Sequence, residues 1–272
     1  MIAFPSPGRA AEHCRSWLED YLMRFPGDDD DQRRNFAVKR GHTYRVRAEI
    51  MALGRNLGLV ASAMELAEIL ALVHDVGRFE QYARFRTFVD RRSLDHAALG
   101  ADILRSSPAL DPLPPRLREL VLRCVSYHNR AELPAGEGRE CLYFTRLLRD
   151  ADKLDIWRVV TDYYRAGPGE RNPALELELP DTPGFSDEVC RSLLEERMVD
   201  SGLLANLNDF KLLQAGWVYG INFTPSLRAV RERGYLESIR AALPPSPRLD
   251  RIFGRLRSRL EVPAADGAAP RL

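Results

Sequence analysis

An all-α fold, a helical bundle with additional C-terminal helices, is predicted by three observations. Apolar residues recur at steps of three and four nearly throughout the chain, the period of one buried helix face. Proline, glycine and capping residues punctuate that pattern at helix-length intervals. Only one segment, Leu175 to Leu179, alternates in a way that suits a strand, and it is too short to build a sheet.

The elements follow in order. Trp17, Leu18, Tyr21 and Leu22 mark an amphipathic helix that stops at Pro26-Gly27. The acidic run Asp28 to Asp31 is a solvated loop or a helix N-terminus, since it lacks the spacing and glycine of a calcium loop. Val46, Ile50, Leu53 and Leu57 set a helix with His42 in its first turn. Ser62-x-x-Glu65 reads as a capping box opening the helix that delivers His74 and Asp75, with Gly77 as its C-terminal cap. Residues 78 to 92 read as an ordered loop. Ser93 caps the next helix, with His96 in its first turn, and a proline-rich connection leads to a helix ending at His128-Asn129. Residues 139 to 160 form the helix that carries Asp152. After a loop over 165 to 184, helices are expected near 186–199, 203–215, 225–241 and 247–260, the third opening on Thr224-Pro225. A single domain over 1–262 is expected, with a metal-bearing core at about 35–160, a helical extension at about 185–260 and a mobile tail over 263–272.

Composition narrows the function classes. The formal charge of +1 supplies no global field for nucleic acid or membrane. Cys14, Cys124, Cys141 and Cys190 are scattered without a C-x-x-C pair, as expected of reduced thiols in a cytoplasmic protein. The first residues lack the basic and apolar regions of a secretory leader, and no apolar run approaches a membrane span.

Chemistry concentrates in an ordered series: His42, His74-Asp75, His96, His128 and Asp152. The gaps are 32 residues from His42 to His74, 21 from Asp75 to His96, 32 to His128 and 24 to Asp152. Each matches one helix plus a connection, so each group can enter a common centre from a different helix. Imidazole and carboxylate suit borderline divalent ions. Six groups exceed the needs of one tetrahedral ion and match two ions sharing a carboxylate.

Lys39-x-x-His42-Thr43, His74-Asp75-Val76-Gly77-Arg78, Asp95-His96-Ala97, Tyr127-His128-Asn129 and Arg149-Asp150-Ala151-Asp152-Lys153-Leu154-Asp155 together resemble the HD-domain superfamily of metal-dependent phosphohydrolases. Trp217 to Phe223 resembles the C-terminal part of a bacterial subfamily. The resemblance implies that His42, His74, Asp75 and Asp152 hold a first metal ion, that Asp75 bridges, and that His96 and His128 add a second site. It implies one or two divalent ions drawn from Mn, Fe, Mg, Zn, Ni and Co. The implied reaction is hydrolysis of a nucleotide or other small phosphate ester by a metal-bound hydroxide, with Arg78 and Lys153 facing phosphate. Of just three lysines in the chain, Lys39 and Lys153 flank these groups. The Gly-Tyr-Pro signature of the cyclic-di-GMP-cleaving branch is absent.

Duller explanations stand beside these. A lone buried histidine is usually a satisfied core residue, and only the complete series reverses that reading. His13 lies outside the series and reads as a surface residue. Asp155 reads as a salt-bridge or helix-surface residue, Asn129 as a helix-end cap, and Cys124, Cys141, Trp157 and Trp217 as packing. Arg84, Arg86, Arg91 and Arg92 read as partly solvated. The same donor series also occurs in di-iron oxygenases similar to myo-inositol oxygenase, and a nucleotide sensor could keep the fold without catalysis. The complete donor set disfavours the sensor, while the oxygenase is separated only by the groups around the substrate. Oligomeric state is not encoded in any of these features.

Overall fold

The structure, a computed structural model, describes residues 8–166, 172–173 and 175–264. Among the described residues there is no strand, and the fold is all-α. The chain divides into two compact units between Asp152 and Lys153, inside one long helix.

The first unit holds α1 (Arg9–Leu22), α2 (Asp30–Asn56), α3 (Ala61–Val73), α4 (Val76–Phe85), α5 (His96–Arg105), α6 (Pro115–Tyr127) and the opening of α7 (Arg139–Arg165). α3 is apolar on nearly every side, as a helix must be to sit inside a bundle. Its residues from Ile69 to Val73 are all buried, and it packs on α1, α2 and α6. α2 begins in the acidic run, where Asp29 Oδ1 accepts from the Gln32 amide at 2.8 Å. The acidic run is therefore a helix N-terminus, and His42 lies in the middle of a 27-residue helix rather than in a first turn. Phe25, Phe36, Phe79 and Tyr82 form an aromatic cluster joining α2 to α4, with neighbouring ring centroids 5.7–6.1 Å apart.

Several local expectations are corrected by tertiary contacts. Glu65 does not cap its own helix. Its Oε1 accepts from the Ala10 and Ala11 amides at 2.8 and 3.2 Å, capping α1 instead. Residues 76–85 are helical, not loop, because Phe79 and Tyr82 turn inward at helical spacing. Gly77 is consequently no cap but the second residue of α4, where its backbone meets α5. A Cβ there would overlap the His96 carbonyl oxygen and lie 2.8 Å from the Gly100 nitrogen. Both obstacles are backbone, so Gly77→Ala is expected to destabilise the protein by about 1–3 kcal/mol. Thermal melts of the metal-free variant check this; a melting temperature equal to the parent's would show that α5 can yield. Asp95, not Ser93, caps α5, accepting from the Ala97 and Ala98 amides.

The second unit contains the end of α7 with α8 (Asp187–Leu194), α9 (Leu207–Gly216), α10 (Thr224–Glu232), α11 (Tyr235–Ala241) and α12 (Pro247–Glu261). Trp157 is fully buried, donates from Nε1 to the Gln214 carbonyl at 2.9 Å, and lies against Trp217 and Tyr235. Asp155 is also fully buried, which corrects its reading as a helix-surface residue. The helix expected over 225–241 breaks at Gly234, whose φ of +64° ends α10 and starts α11. Phe223 occupies the cap position of α10, while Thr224 is its first residue. No strand forms at 175–179, because Leu177 and Glu178 adopt left-handed φ values of 52° and 58° in a turn. All four cysteines are buried free thiols. The mobile tail expected over 263–272 lies, from residue 265 onward, outside the described residues.

Candidate metal centre

Four helices and the break between two of them bring the six donors together. α3 ends at Val73, so His74 occupies its C-terminal cap and Asp75 the N-terminal cap of α4. Asp75 makes no capping bond there, and its carboxylate remains available at the positive end of the helix. His42 comes from α2, His96 from the first turn of α5, His128 from the end of α6 and Asp152 from α7.

The donor atoms form two triads, His42–His74–Asp152 and Asp75–His96–His128, each with its atoms within 4.8 Å of one another. In the first, His42 Nε2 lies 3.0 Å from Asp152 Oδ1 and 3.4 Å from His74 Nε2. In the second, His96 Nε2 and His128 Nε2 are 3.1 Å apart. Asp75 faces both: Oδ2 is 3.6 and 3.8 Å from His42 and His74, while Oδ1 is 3.5 and 3.7 Å from His96 and His128. Donors sharing one ion at about 2.1 Å lie roughly 3–3.5 Å from each other, so these spacings suit a coordination sphere.

The hydrogen bonds give an independent test of fit. His128 Nδ1 lies 2.6 Å from the Val125 carbonyl, and His96 Nδ1 lies 2.8 Å from Asp90 Oδ2. Both partners are acceptors, so each Nδ1 carries the proton and each Nε2 presents a lone pair inward. Two lone pairs 3.1 Å apart repel unless an electrophile lies between them. His74 is set likewise, its Nδ1 2.9 Å from the Ala71 carbonyl. The residues fit divalent ions.

Their protonation fits as well. Burial pushes His74 down to about 4. Burial, helped by Arg78, does the same to His96. Both are therefore neutral near pH 7, as ligands must be. Burial alone would raise Asp75, but Lys39, its Nζ 2.8 Å from Oδ2, and Arg78 hold the carboxyl well below its usual range. Asp152 is likewise lowered: burial would raise it, and the influences of His42 and His74 together outweigh burial.

A pH dependence follows for the metal-free protein. An unfolded histidine titrates near 6.5, whereas folded His74 and His96 take protons only near 4, so the unfolded chain binds more protons between those values. The stabilisation is complete above about 6.5 and lost as pH falls toward about 4. Thermal melts in chelator across that window check the sign; a melting temperature that rises on acidification contradicts it. The lowered carboxylates add a loss of their own only below about 3.8.

Arg78 lies beside the donors. Its Nε is 3.7 Å from Asp75 Oδ1, buried and without a hydrogen-bond partner, while Nη1 donates to Gln81 Oε1, the Phe88 carbonyl and Asp90 Oδ1 at 2.6–2.9 Å. Lys153 follows Asp152 on α7 and is buried. Three residues make contacts at the site that the sequence did not assign to them. Lys39 stood out there only by its position, yet it contacts Asp75 directly. Asp90 contacts His96 and Arg78, and Asn129 is no cap but donates to Asp90 Oδ2 and Asp95 Oδ1 at 3.2 and 2.8 Å. Neighbourhood to His128 is the one signal that could have found Asn129. Asp90 lies in an irregular connection with no periodic pattern to mark it. His13 is exposed, as expected, with Nε2 2.9 Å from the Pro108 carbonyl. Arg84 and Arg86 are partly exposed and paired with Glu80 and Asp29.

A helical scaffold gathering four imidazoles and two carboxylates around one centre is one that could hold divalent ions. The family model for the HD domain matches residues 40–157, a span that includes all six donors. Over these residues the chain is therefore similar to the HD domain, the unit of a superfamily of metal-dependent phosphohydrolases. Neither a curated protein nor a solved structure matches it. No helix among the described residues is long and apolar enough to cross a membrane.

Proposed function

We propose that this chain hydrolyses a small phosphate ester, a nucleotide or another phosphorylated metabolite, at a two-ion centre. The observation that carries the reading is the division of Asp75, whose Oδ2 faces His42 and His74 while Oδ1 faces His96 and His128. A carboxylate set between two donor groups is the natural bridge, since each oxygen can serve a different ion. His42, His74 and Asp152 complete one half, His96 and His128 the other. Two divalent ions held there would supply Lewis acidity toward phosphoryl oxygens and would lower the pKa of a water.

The protein's own groups supply orientation and charge. Imidazole donors add no negative charge, so two bound divalent ions would leave the centre net positive, which would suit an anionic substrate. Arg78 presents its unpartnered Nε beside Asp75, and the bonds from Nη1 to Asp90, Gln81 and the Phe88 carbonyl fix the plane of the guanidinium. A guanidinium fixed in this way stabilises phosphate charge without reorganising. Lys39, held on Asp75 and 5.3 Å from the Phe88 ring centroid, adds a second cation. Lys153 is assigned to phosphate on its place next to Asp152. No side chain is needed as a covalent nucleophile.

The test is metal analysis of protein purified without added metal, joined to a phosphate-release screen over nucleotides and sugar phosphates. Bound divalent ions and release of phosphate from one substrate class are expected. Protein that takes up no ion after reloading overturns the reading.

A further inference from the structure

We propose that Asp90 is a positioning residue that sets His96 and Arg78 with one carboxylate, and so controls occupancy of the Asp75–His96–His128 half of the centre. The inference rests on the two-ion reading above. Asp90 opens the short 3-10 turn Asp90–Arg92, which contributes no buried residue to the core. Both its oxygens face His96 Nδ1, Oδ2 at 2.8 Å and Oδ1 at 3.0 Å, and Oδ1 also accepts from Arg78 Nη1 and Gln81 Nε2, each at 2.9 Å. Asn129, next in the chain to His128, donates to Oδ2 at 3.2 Å. One carboxylate thereby touches His96, the arginine beside Asp75, and the residue adjoining His128.

Two consequences follow for His96. An acceptor at Nδ1 holds the tautomer with its lone pair on Nε2, facing His128 Nε2. It also stops the ring from rotating about its bond to the backbone, a freedom that a histidine in the first turn of a helix would otherwise keep. Such partners of metal-binding histidines change metal affinity by about 10–100-fold when removed. The carboxylate is itself held in place. Gln81 Nε2 also donates to Ser93 Oγ and the Leu94 carbonyl at 2.8 and 2.9 Å, and Ser93 Oγ donates to the Val89 carbonyl at 3.0 Å. Asp90 is thus set by the protein before any ion arrives. With its oxygens committed to His96, Arg78 and Gln81, it orients donors rather than serving as one.

The experiment is a Mn2+ titration of the full chain, stripped with chelator and reloaded, followed by equilibrium dialysis and by the spin-coupled signal of a paired Mn site. Parent protein is expected to take two Mn per chain. Asp90→Ala is expected to weaken the second Mn by about 10–100-fold, with the first unaltered and the metal-free melting temperature near the parent's. His96→Ala should lose the same ion, and adding Asp90→Ala to it should cost nothing further, since both changes act through one imidazole. Asp90→Asn keeps the shape and loses the charge; it should weaken the second Mn by a smaller factor, and it replaces Asp90→Ala if that variant does not fold. An unchanged second affinity in the variants that fold overturns the inference and leaves the two-ion reading standing. Equal weakening of both ions, or a further loss in the double variant, also overturns it, making Asp90 a fold residue or a ligand. Parent protein that takes at most one Mn overturns the two-ion reading beneath it.

Discussion

Asp75→Ala is expected to empty both halves of the centre and to lower phosphate release by at least about 10³-fold, the scale set by several kcal/mol of lost transition-state stabilisation. The Asp75 carboxylate turns one oxygen toward each donor group. Its Oδ2 lies 3.6 Å from His42 and its Oδ1 3.5 Å from His96, so its removal takes an oxygen from each triad. It also leaves Lys39, now 2.8 Å from Oδ2, as an unpaired cation beside the remaining donors, where it repels incoming ions. His96→Ala and His128→Ala each remove one donor from one triad and are expected to retain the His42–His74–Asp152 ion. Metal stoichiometry after reloading checks the division. Loss of both ions in all three variants contradicts it, as does Asp75→Ala protein that still holds two. Metal-free melting curves separate these outcomes from simple unfolding, and Asp75→Asn, close in shape, gives a second reading at the same position.

The gross fold was readable because helical period and helix-length spacing are properties of the chain itself. α3 and α6 follow from the positions of Leu66, Ile69, Leu70, Leu117, Leu120, Val121 and Val125, all buried in the structure. The gathering of the six donors was readable for the same reason, since each could be placed on a separate helix. Boundaries and partners were not. Glu65 carries a capping-box signature, yet its oxygen serves α1, some 55 residues away in sequence, and no local pattern encodes that. Gly77 resembles a helix stop, whereas its missing side chain is required by the approach of α5. Leu175 to Leu179 has the alternation of a strand but, among the described residues, no strand to pair with, and an isolated extended segment leaves its backbone groups unsatisfied. Asp90 escaped for a different reason. Its role depends on where a loop folds back, and its neighbours Arg91 and Arg92 drew attention as charges while Asp90 made the contacts.

The last expectation separates hydrolysis from dioxygen chemistry at the same donor set. A phosphohydrolase requires Lewis acidity without a change of oxidation state, so Mn-loaded protein should release phosphate equally well with oxygen removed. An oxygenase needs a metal that changes oxidation state, and would fall silent both anaerobically and with Mn in place of iron. Arg78 supplies the second arm. Its Nε, buried and without a hydrogen-bond partner, lies 3.7 Å from Asp75 Oδ1, and the proposed hydrolysis sets it against a substrate oxygen. Arg78→Ala should lower kcat/KM by about 10²-fold, the loss of one or two charge-assisted hydrogen bonds. Arg78→Lys should recover only part, because an ammonium keeps the charge but cannot reach Asp90, Gln81 and the Phe88 carbonyl while also presenting a second donor toward the centre. In an oxygenase acting on an uncharged polyol, the same substitutions would have no phosphate to lose. Oxygen uptake by iron-loaded protein, with no phosphate released from any substrate screened and no effect of Arg78→Ala, would replace the hydrolase with the oxygenase.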